Sequence, residues 1–424
     1  MPELPRDEPT PAVAPTGGKL AVRSYLLIVV ADFACRALRF LSDIVLVRHF
    51  SREIIGQLNL GQSLSVQGIG LSTAGLDVIG IKTVAAGQVP PARMATTIAL
   101  LRLLLGVFAW CGVALVAGLV PKYQPIFQYA VLYGLSIATA ALTIGWVPQG
   151  QNRMHVVAIA MLATNICYFS GVWLCTVCGW PPVAVPLILG VAEGSTALAL
   201  WVWLRLACGP FMWGLPAREA WHCLQDAVPI GGSNYLRLLI QGSDVLILGL
   251  FDTGDELGVY SMGFKLYALG ASLVAIYLGV LLPQLAAGAA AGTHNVSAEL
   301  NSSLRRTLPA SLVAMAIAMS LAGFGLQLLY GAAFVTGASA LRVLIVAWPV
   351  QLMSGHFRMG LIAIGRQRLD LLLVGVAMVA HLLAKLCLGY LGGSLGIAVG
   401  TLAGEVVLLV ITGWVWVAGK GRPA

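Results

Sequence analysis

Apolar runs of transmembrane length recur twelve times along the chain, at 24–48, 55–81, 95–120, 125–147, 154–178, 182–204, 226–250, 258–287, 308–330, 337–364, 369–391 and 394–418. The hydrocarbon core of a bilayer takes about 20 apolar residues per helix. Barrel strands would be about ten residues long and alternate in polarity, and these runs do neither. The pattern predicts an all-α polytopic membrane protein with 12 transmembrane helices. Several runs contain charges, the first and tenth among them. Residues 1–23, rich in Pro and charge, are expected to form a disordered cytoplasmic tail. They lack the basic start and small-residue cleavage site of a signal peptide, so the first run is expected to be retained. Residues 205–225 read as a cytoplasmic linker between an N-terminal bundle (24–204) and a C-terminal bundle (226–418), 288–307 as a second long loop, and 419–424 as a short cytoplasmic tail.

Composition sharpens this picture. Of 424 residues, 59% are hydrophobic and 10% charged, against about 25% charged in soluble domains. A chain this apolar cannot cover a water-facing surface. That excludes a cytosolic enzyme and a nucleic-acid partner, despite the net charge of +8. The eight cysteines are scattered through apolar runs, and only Cys175 and Cys178 have CxxC spacing. They read as small packing residues, with no metal site and no cofactor expected.

The 25 Lys and Arg residues give an orientation. Fourteen lie in the N-terminus, the even-numbered connections and the C-terminal tail, and three (Arg48, Arg52, Lys122) lie on the opposite side. Cytoplasmic loops carry the excess of Lys and Arg, so both termini are expected in the cytoplasm. The acidic connection at Asp252, Asp255 and Glu256 then lies outside.

Eight cations remain inside the runs: Arg36, Arg39, Arg102, Arg237, Lys265, Arg342, Arg358 and Lys385. Charges at that depth persist when they face a partner or a wet cavity. Arg102, Arg342 and Arg358 sit near run ends, where long side chains reach the interface. Arg36, Arg39 and Arg237 fall near the midplane. In the first run, Asp32, Arg36, Arg39 and Asp43 share one helical stripe, with Asp32–Arg36 and Arg39–Asp43 expected as i,i+4 pairs. The seventh run repeats the theme with Asn234, Arg237, Gln241 and Asp244. Asp77, Glu193, His356, His381 and Glu405 are further intramembrane titratable groups, and Asp77, Glu193, His356 and Glu405 in particular are candidates for ion coupling.

The two charged runs are related. Arg36-Ala-Leu-Arg-Phe-Leu-Ser-Asp43 and Arg237-Leu-Leu-Ile-Gln-Gly-Ser-Asp244 both read R-x-L-x-x-x-S-D, and Gly56-Gln-Leu-Asn-Leu-Gly61 then matches Gly258-Val-Tyr-Ser-Met-Gly263. Two six-span halves would be related by a pseudo-two-fold axis along the membrane normal, an arrangement that places a substrate between halves. Arg36 and Arg237 would then face one another, and paired guanidiniums suit a phosphate or pyrophosphate. Lys265, Lys385 and Arg358 would extend the positive field, with the aspartates holding the cations apart in the empty site.

With Asp43 and Asp244 near the outer ends of these runs, each followed by a short loop and a Gly-x-Tyr-like start (Gly56-Gln-Leu, Gly258-Val-Tyr260), the chain resembles the Wzx-like O-antigen and exopolysaccharide flippases of the multidrug/oligosaccharidyl-lipid/polysaccharide exporter superfamily. The resemblance spans about 24–418, and Leu58 departs from it where the second half has Tyr260. It implies a V-shaped pair of six-helix bundles around a cationic cavity in the bacterial inner membrane. It also implies transport of an undecaprenyl-pyrophosphate-linked oligosaccharide to the outer leaflet by alternating access, with glycan-assembly proteins as partners. The expected substrate contacts are Arg36, Arg39, Asp43, Arg237, Gln241, Asp244, Lys265, Arg358 and Lys385. A multidrug/cation antiporter of the same superfamily is the first alternative, and a membrane-embedded glycan polymerase or ligase the second. No GxxxxGK[ST] phosphate loop occurs, so ATP hydrolysis by that route is not expected.

Overall fold

The computed structural model describes residues 18–418 except 88, 211, 213, 214, 291 and 292. The distal part of the expected N-terminal tail, 1–17, and all of the expected C-terminal tail, 419–424, lie outside the described residues. Everything regular among the described residues is helical. In chain order the helices are α1 (Gly18–His49), α2 (Arg52–Thr73), α3 (Leu76–Ala85), α4 (Pro91–Leu119), α5 (Phe127–Tyr133), α6 (Leu135–Leu142), α7 (Trp146–Gly150), α8 (Met154–Val177), α9 (Ala184–Cys208), α10 (Ala217–Gly249), α11 (Asp255–Ala290), α12 (Thr293–Tyr330), α13 (Ala338–Ala363) and α14 (Gln367–Val417). Short 3-10 turns at Pro121–Ile126 and Ala332–Gly337 precede α5 and α13. Eight of the described helical stretches are long and apolar enough to cross a membrane, or nine if α2 and α3, bent by 43°, count as one. A multi-pass membrane protein follows, because backbone in hydrocarbon must satisfy its own hydrogen bonds.

The breaks have local causes. Between α2 and α3, Ala74 and Gly75 adopt left-handed φ values of 43° and 77°, and Gly231 of α10 packs against the Ala74 backbone so closely that a Cβ would lie 2.2 Å from its carbonyl carbon. In the run 125–147, Gly134 seats the Trp110 indole, whose Nε1 donates to the Val131 carbonyl at 3.0 Å. The carbonyl of Thr143, just past α6, accepts from Arg102 at 3.2 Å. Within the 51 residues of α14 the path is non-helical at Gly392 and Gly393, and the Glu256 carboxylate accepts from the Ser394 amide at 2.7 Å.

Three polar stretches are more helical than their composition suggests. α1 starts at Gly18, inside the expected tail, and only 209–216 separate α9 from α10. The expected loop 288–307 is largely the continuation of α11 and the start of α12. There Val296 and Leu300, one turn apart, bury against Leu281 and Leu285 of α11. A narrow apolar stripe is enough to hold a helix that a hydropathy window reads as polar.

Packing orders the chain. α1 lies on α8, α2 on α4, α5 and α6, and α9 on α6 and α8; further along, α13 packs with α11, α12 and α14, and α10 with α14. Across the chain's midpoint, α2 packs along both α10 and α11. Two contacts of the α2–α11 crossing join residues matched by the sequence repeat. A Cβ on Gly56 would meet the Gly258 nitrogen at 2.7 Å, and Asn59 donates to the Ser261 hydroxyl at 2.9 Å.

A cationic cavity between α1, α8 and α11

The polar stripe of α1 faces a cavity of about 460 Å³, whose other walls come from Gln62 of α2, Met161, Asn165 and Tyr168 of α8, and Lys265, Ala268 and Leu269 of α11. Asp32, Arg36, Arg39 and Asp43 all line it, as their helical spacing requires. Arg36 donates to Asp32 at 2.7 Å, one turn back. The second expected local pair does not form. Asp43 instead binds Lys265 of α11 at 2.6 Å, and Arg39 donates to the Asn165 side-chain oxygen at 3.0 Å. Its guanidinium carbon stands 5.1 Å from the Tyr168 ring centroid. Asn165 is itself fixed by donating to the Met161 carbonyl at 2.8 Å. The i,i+4 partner loses because Lys265 reaches Asp43 from across the cavity, while Arg39 finds a rigid amide and an aromatic face, which suits a planar cation.

At the end that carries the α1–α2 and α10–α11 turns, the walls close. Arg52 pairs with Asp255 and donates to the Ala333 carbonyl at 3.2 Å, and Arg48 donates to the Leu328 carbonyl at 3.3 Å. The Gly56–Gly258 and Asn59–Ser261 contacts lie just beneath.

The remaining sequence candidates stand elsewhere. Arg237 and Gln241 are exposed on α10 and are not among the residues lining this cavity. Asp244 and Lys385 form a sealed pair at 2.6 Å, with side chains 1% and 0% exposed. Tyr260 and Thr401 each donate to Asp244 at 2.7 Å, and Lys385 donates to Ser243 at 2.8 Å and the Ile240 carbonyl at 3.0 Å. Arg358, expected near the interface, is instead clamped by Asp370 at 2.8 and 3.2 Å. Arg102, expected to snorkel, is 4% exposed and held bidentately by Asp77 at 2.8 and 3.3 Å. Glu193 accepts from Thr139 at 2.8 Å, His356 Nδ1 bonds the Leu352 carbonyl at 2.7 Å, and Glu405 accepts from Gln351 at 2.8 Å.

Five of the eight intramembrane cations are thus neutralised by a carboxylate: Arg36, Arg102, Lys265, Arg358 and Lys385. Arg342 donates to the Met319 carbonyl at 3.2 Å. Arg39 is the cavity-lining cation that a neutral amide and a ring hold in place. Asn165, Tyr168 and Gln62 were invisible in the sequence: single uncharged residues in apolar runs carry no signal without the fold.

Apolar spans surrounding a polar, cation-lined cavity define a membrane transporter. The family model described as polysaccharide biosynthesis protein matches residues 21–288, and the chain belongs to that family. Among solved structures, it is similar to the lipid II flippase MurJ in an inward closed conformation, with a TM-score of 0.75 and 12% identity over 93% of this chain and 87% of that one. An inward-facing multidrug resistance MATE transporter of the MOP superfamily gives 0.71 and 16% over 92% and 96%. An outward-facing one gives 0.58 and 16% over 95% of each chain. No curated protein matches the sequence.

Proposed function

We propose that this protein is a flippase that moves an undecaprenyl-pyrophosphate-linked oligosaccharide from the inner to the outer leaflet of the bacterial cytoplasmic membrane by alternating access. The observation that carries the reading is Arg39: a guanidinium on the wall of a cavity inside the apolar zone, oriented by Asn165 and Tyr168 rather than cancelled by an acid. A pyrophosphate would be held bidentately there, with Arg36 and Lys265 exchanging their aspartates for the ligand. Arg237 and Gln241, exposed on α10, would meet it as the halves move. Sugars would occupy the cavity while the polyprenyl tail stays in lipid.

Twelve crossings fit this role. Counting α2 and α3 as one span gives nine recognised spans; dividing α14 into two arms at Gly392 and Gly393 and adding α1 and α10 would give two six-helix bundles, 24–204 and 226–418. The contacts Gly56–Gly258 and Asn59–Ser261 support a two-fold between them, since each joins positions 202 apart in the chain, as an isologous contact does. The positive-inside bias would put both termini in the cytoplasm, so the closed end faces the periplasm.

A flipping assay in proteoliposomes tests this. Pyrophosphate-linked glycan lipids should be translocated and a panel of organic cations should not. Arg39→Ala should abolish flipping at an unchanged membrane level, and Arg39→Lys should restore only part of it because the guanidinium fork is lost. Transport of the organic cations in place of the glycan lipid would favour the antiporter alternative.

A further inference from the structure

A second buried cluster lies within α11, α13 and α14, away from the cationic cavity. Glu405 is 7% exposed, and Gln351 Nε2 donates to its carboxylate at 2.8 Å and to the Tyr267 hydroxyl at 2.6 Å. Beside it, His381 is 0% exposed, and neither of its ring nitrogens has a hydrogen-bond partner. His381 Nε2 stands 4.0 Å from Glu405 Oε1, just beyond bonding distance. Gly404 makes the approach possible: a Cβ there would lie 2.2 Å from the imidazole ring. A buried imidazole with both nitrogens unpaired is costly, so the chain has a reason to keep it.

Charge accounting supplies that reason. From α10, Asp244 is matched by Lys385 of α14. From α13, Arg358 is matched by Asp370 of α14, and exposed Arg237 of α10 neighbours that pair rather than the interior. From α11, Tyr260 and Tyr267 contribute neutral hydroxyls. Glu405 is left with no cation of its own. An unmatched buried carboxylate is strongly disfavoured in low dielectric, and one added proton removes the charge.

We infer that Glu405 and His381 form a binding site for a single proton, which couples a proton gradient to the transport proposed above. The proton arrives from water and resides on Glu405 Oε1 or His381 Nε2, closing the gap between them and leaving the cluster neutral. A metal cation is a poorer occupant. Hard cations gather several oxygen ligands, whereas this carboxylate faces an amide N–H and an imidazole. The site is wired to the cavity through α11. Gln351 links Glu405 to Tyr267, which sits in the same helical turn as Lys265, the residue that reaches across to Asp43. Neutralising Glu405 weakens its hold on Gln351 and frees that turn of α11 to shift, which loosens the cross-cavity pair.

Infrared difference spectroscopy of the purified full-length protein in lipid reads protonated carboxyl groups without any substrate. The wild type should show a carboxyl band that titrates with pH. Glu405→Gln should delete it, Glu405→Asp should displace it, and His381→Gln should change the pH at which it titrates. In proteoliposomes with a pyrophosphate-linked glycan lipid, one proton per lipid gives about tenfold leaflet asymmetry per pH unit, a factor of ten being one unit of proton activity. A sodium difference at constant pH should give none, and Glu405→Gln should remove the asymmetry. A carboxyl band unaltered in both Glu405 variants, or asymmetry that follows sodium, would overturn the inference. The inference takes transport from the preceding reading, yet the two fail separately. If the wild type moves no glycan lipid, the flippase reading falls and the infrared spectra still decide the proton site.

Discussion

Asp43 and Asp244 occupy the same place in the sequence repeat and meet opposite fates. Asp43 pairs with Lys265 across the cavity, with the two side chains 21% and 28% exposed. Asp244 pairs with Lys385, with both sealed at 1% and 0%. The wet pair joins two parts of the molecule that must separate if the cavity is to open at the α1–α2 turn. The dry pair ties α10 to α14. Asp43–Lys265 keeps contact with water that Asp244–Lys385 lacks, so it breaks and re-forms at a lower cost than a sealed pair. Removing one partner of a buried pair costs about 3–5 kcal/mol, because the other charge is stranded. One Ser-Asp motif thus gives a latch in one half and a brace in the other, and the difference is made by burial and by which lysine the fold brings near.

The sharpest way to break this contrast is Lys385→Met. It should lower stability by about 3–5 kcal/mol, seen as a reduced unfolding midpoint in detergent and lower membrane abundance. Adding Asp244→Asn should recover most of the loss, since no charge is then left buried. A neutral effect of the single substitution would show that Asp244–Lys385 is no brace.

How much of this was readable beforehand follows from what hydropathy and spacing can register. The helical class and the polar stripe of α1 were legible, because apolar length and i, i+4, i+7 spacing are properties of the chain alone. Asp32, Arg36, Arg39 and Asp43 indeed share one cavity. The partners were not legible. Arg102 sits near the end of its run, yet Asp77, 25 positions earlier, captures it, and no sequence window joins the two. Arg39 took Asn165, 126 residues away, over its i,i+4 neighbour. The helical character of much of 288–307 escaped because, among its described residues, Val296 and Leu300 mark the buried stripe.

A middle-sized effect should come from the closed end of the latch side. A Cβ on Gly258 would lie 1.9 Å from the Arg52 carbonyl oxygen, and backbone cannot step aside as a flexible side chain can. Overpacking of this kind costs about 1–3 kcal/mol. Gly258→Val should therefore push α2 and α11 apart. With Asn59→Cys and Ser261→Cys introduced together, a disulfide should form readily in the parent and much more slowly in the Gly258→Val background. Equal cross-linking in both would mean that the glycine contact does not hold this end shut.

The smallest stability effect, and the most discriminating for the latch, belongs to Lys265. Because Asp43 and Lys265 are both partly hydrated, Lys265→Ala should cost less than the about 3–5 kcal/mol of a broken sealed pair and move the unfolding midpoint less than Lys385→Met does. Transport should respond differently. If Lys265 only latched the two walls, exchanging the pair as Asp43→Lys with Lys265→Asp would keep the attraction and restore flipping. If Lys265 also meets the anionic headgroup, the exchange moves the positive charge to the α1 wall, beside Arg36 and Arg39, and leaves a carboxylate on α11. Flipping then stays impaired although the pair is intact. The proposed function calls for the second outcome, because the ammonium is needed where the substrate passes and not merely somewhere in the pair. Full rescue by the exchange would reduce Lys265 to a hinge contact and leave Arg36 and Arg39 as the cavity's cationic grip.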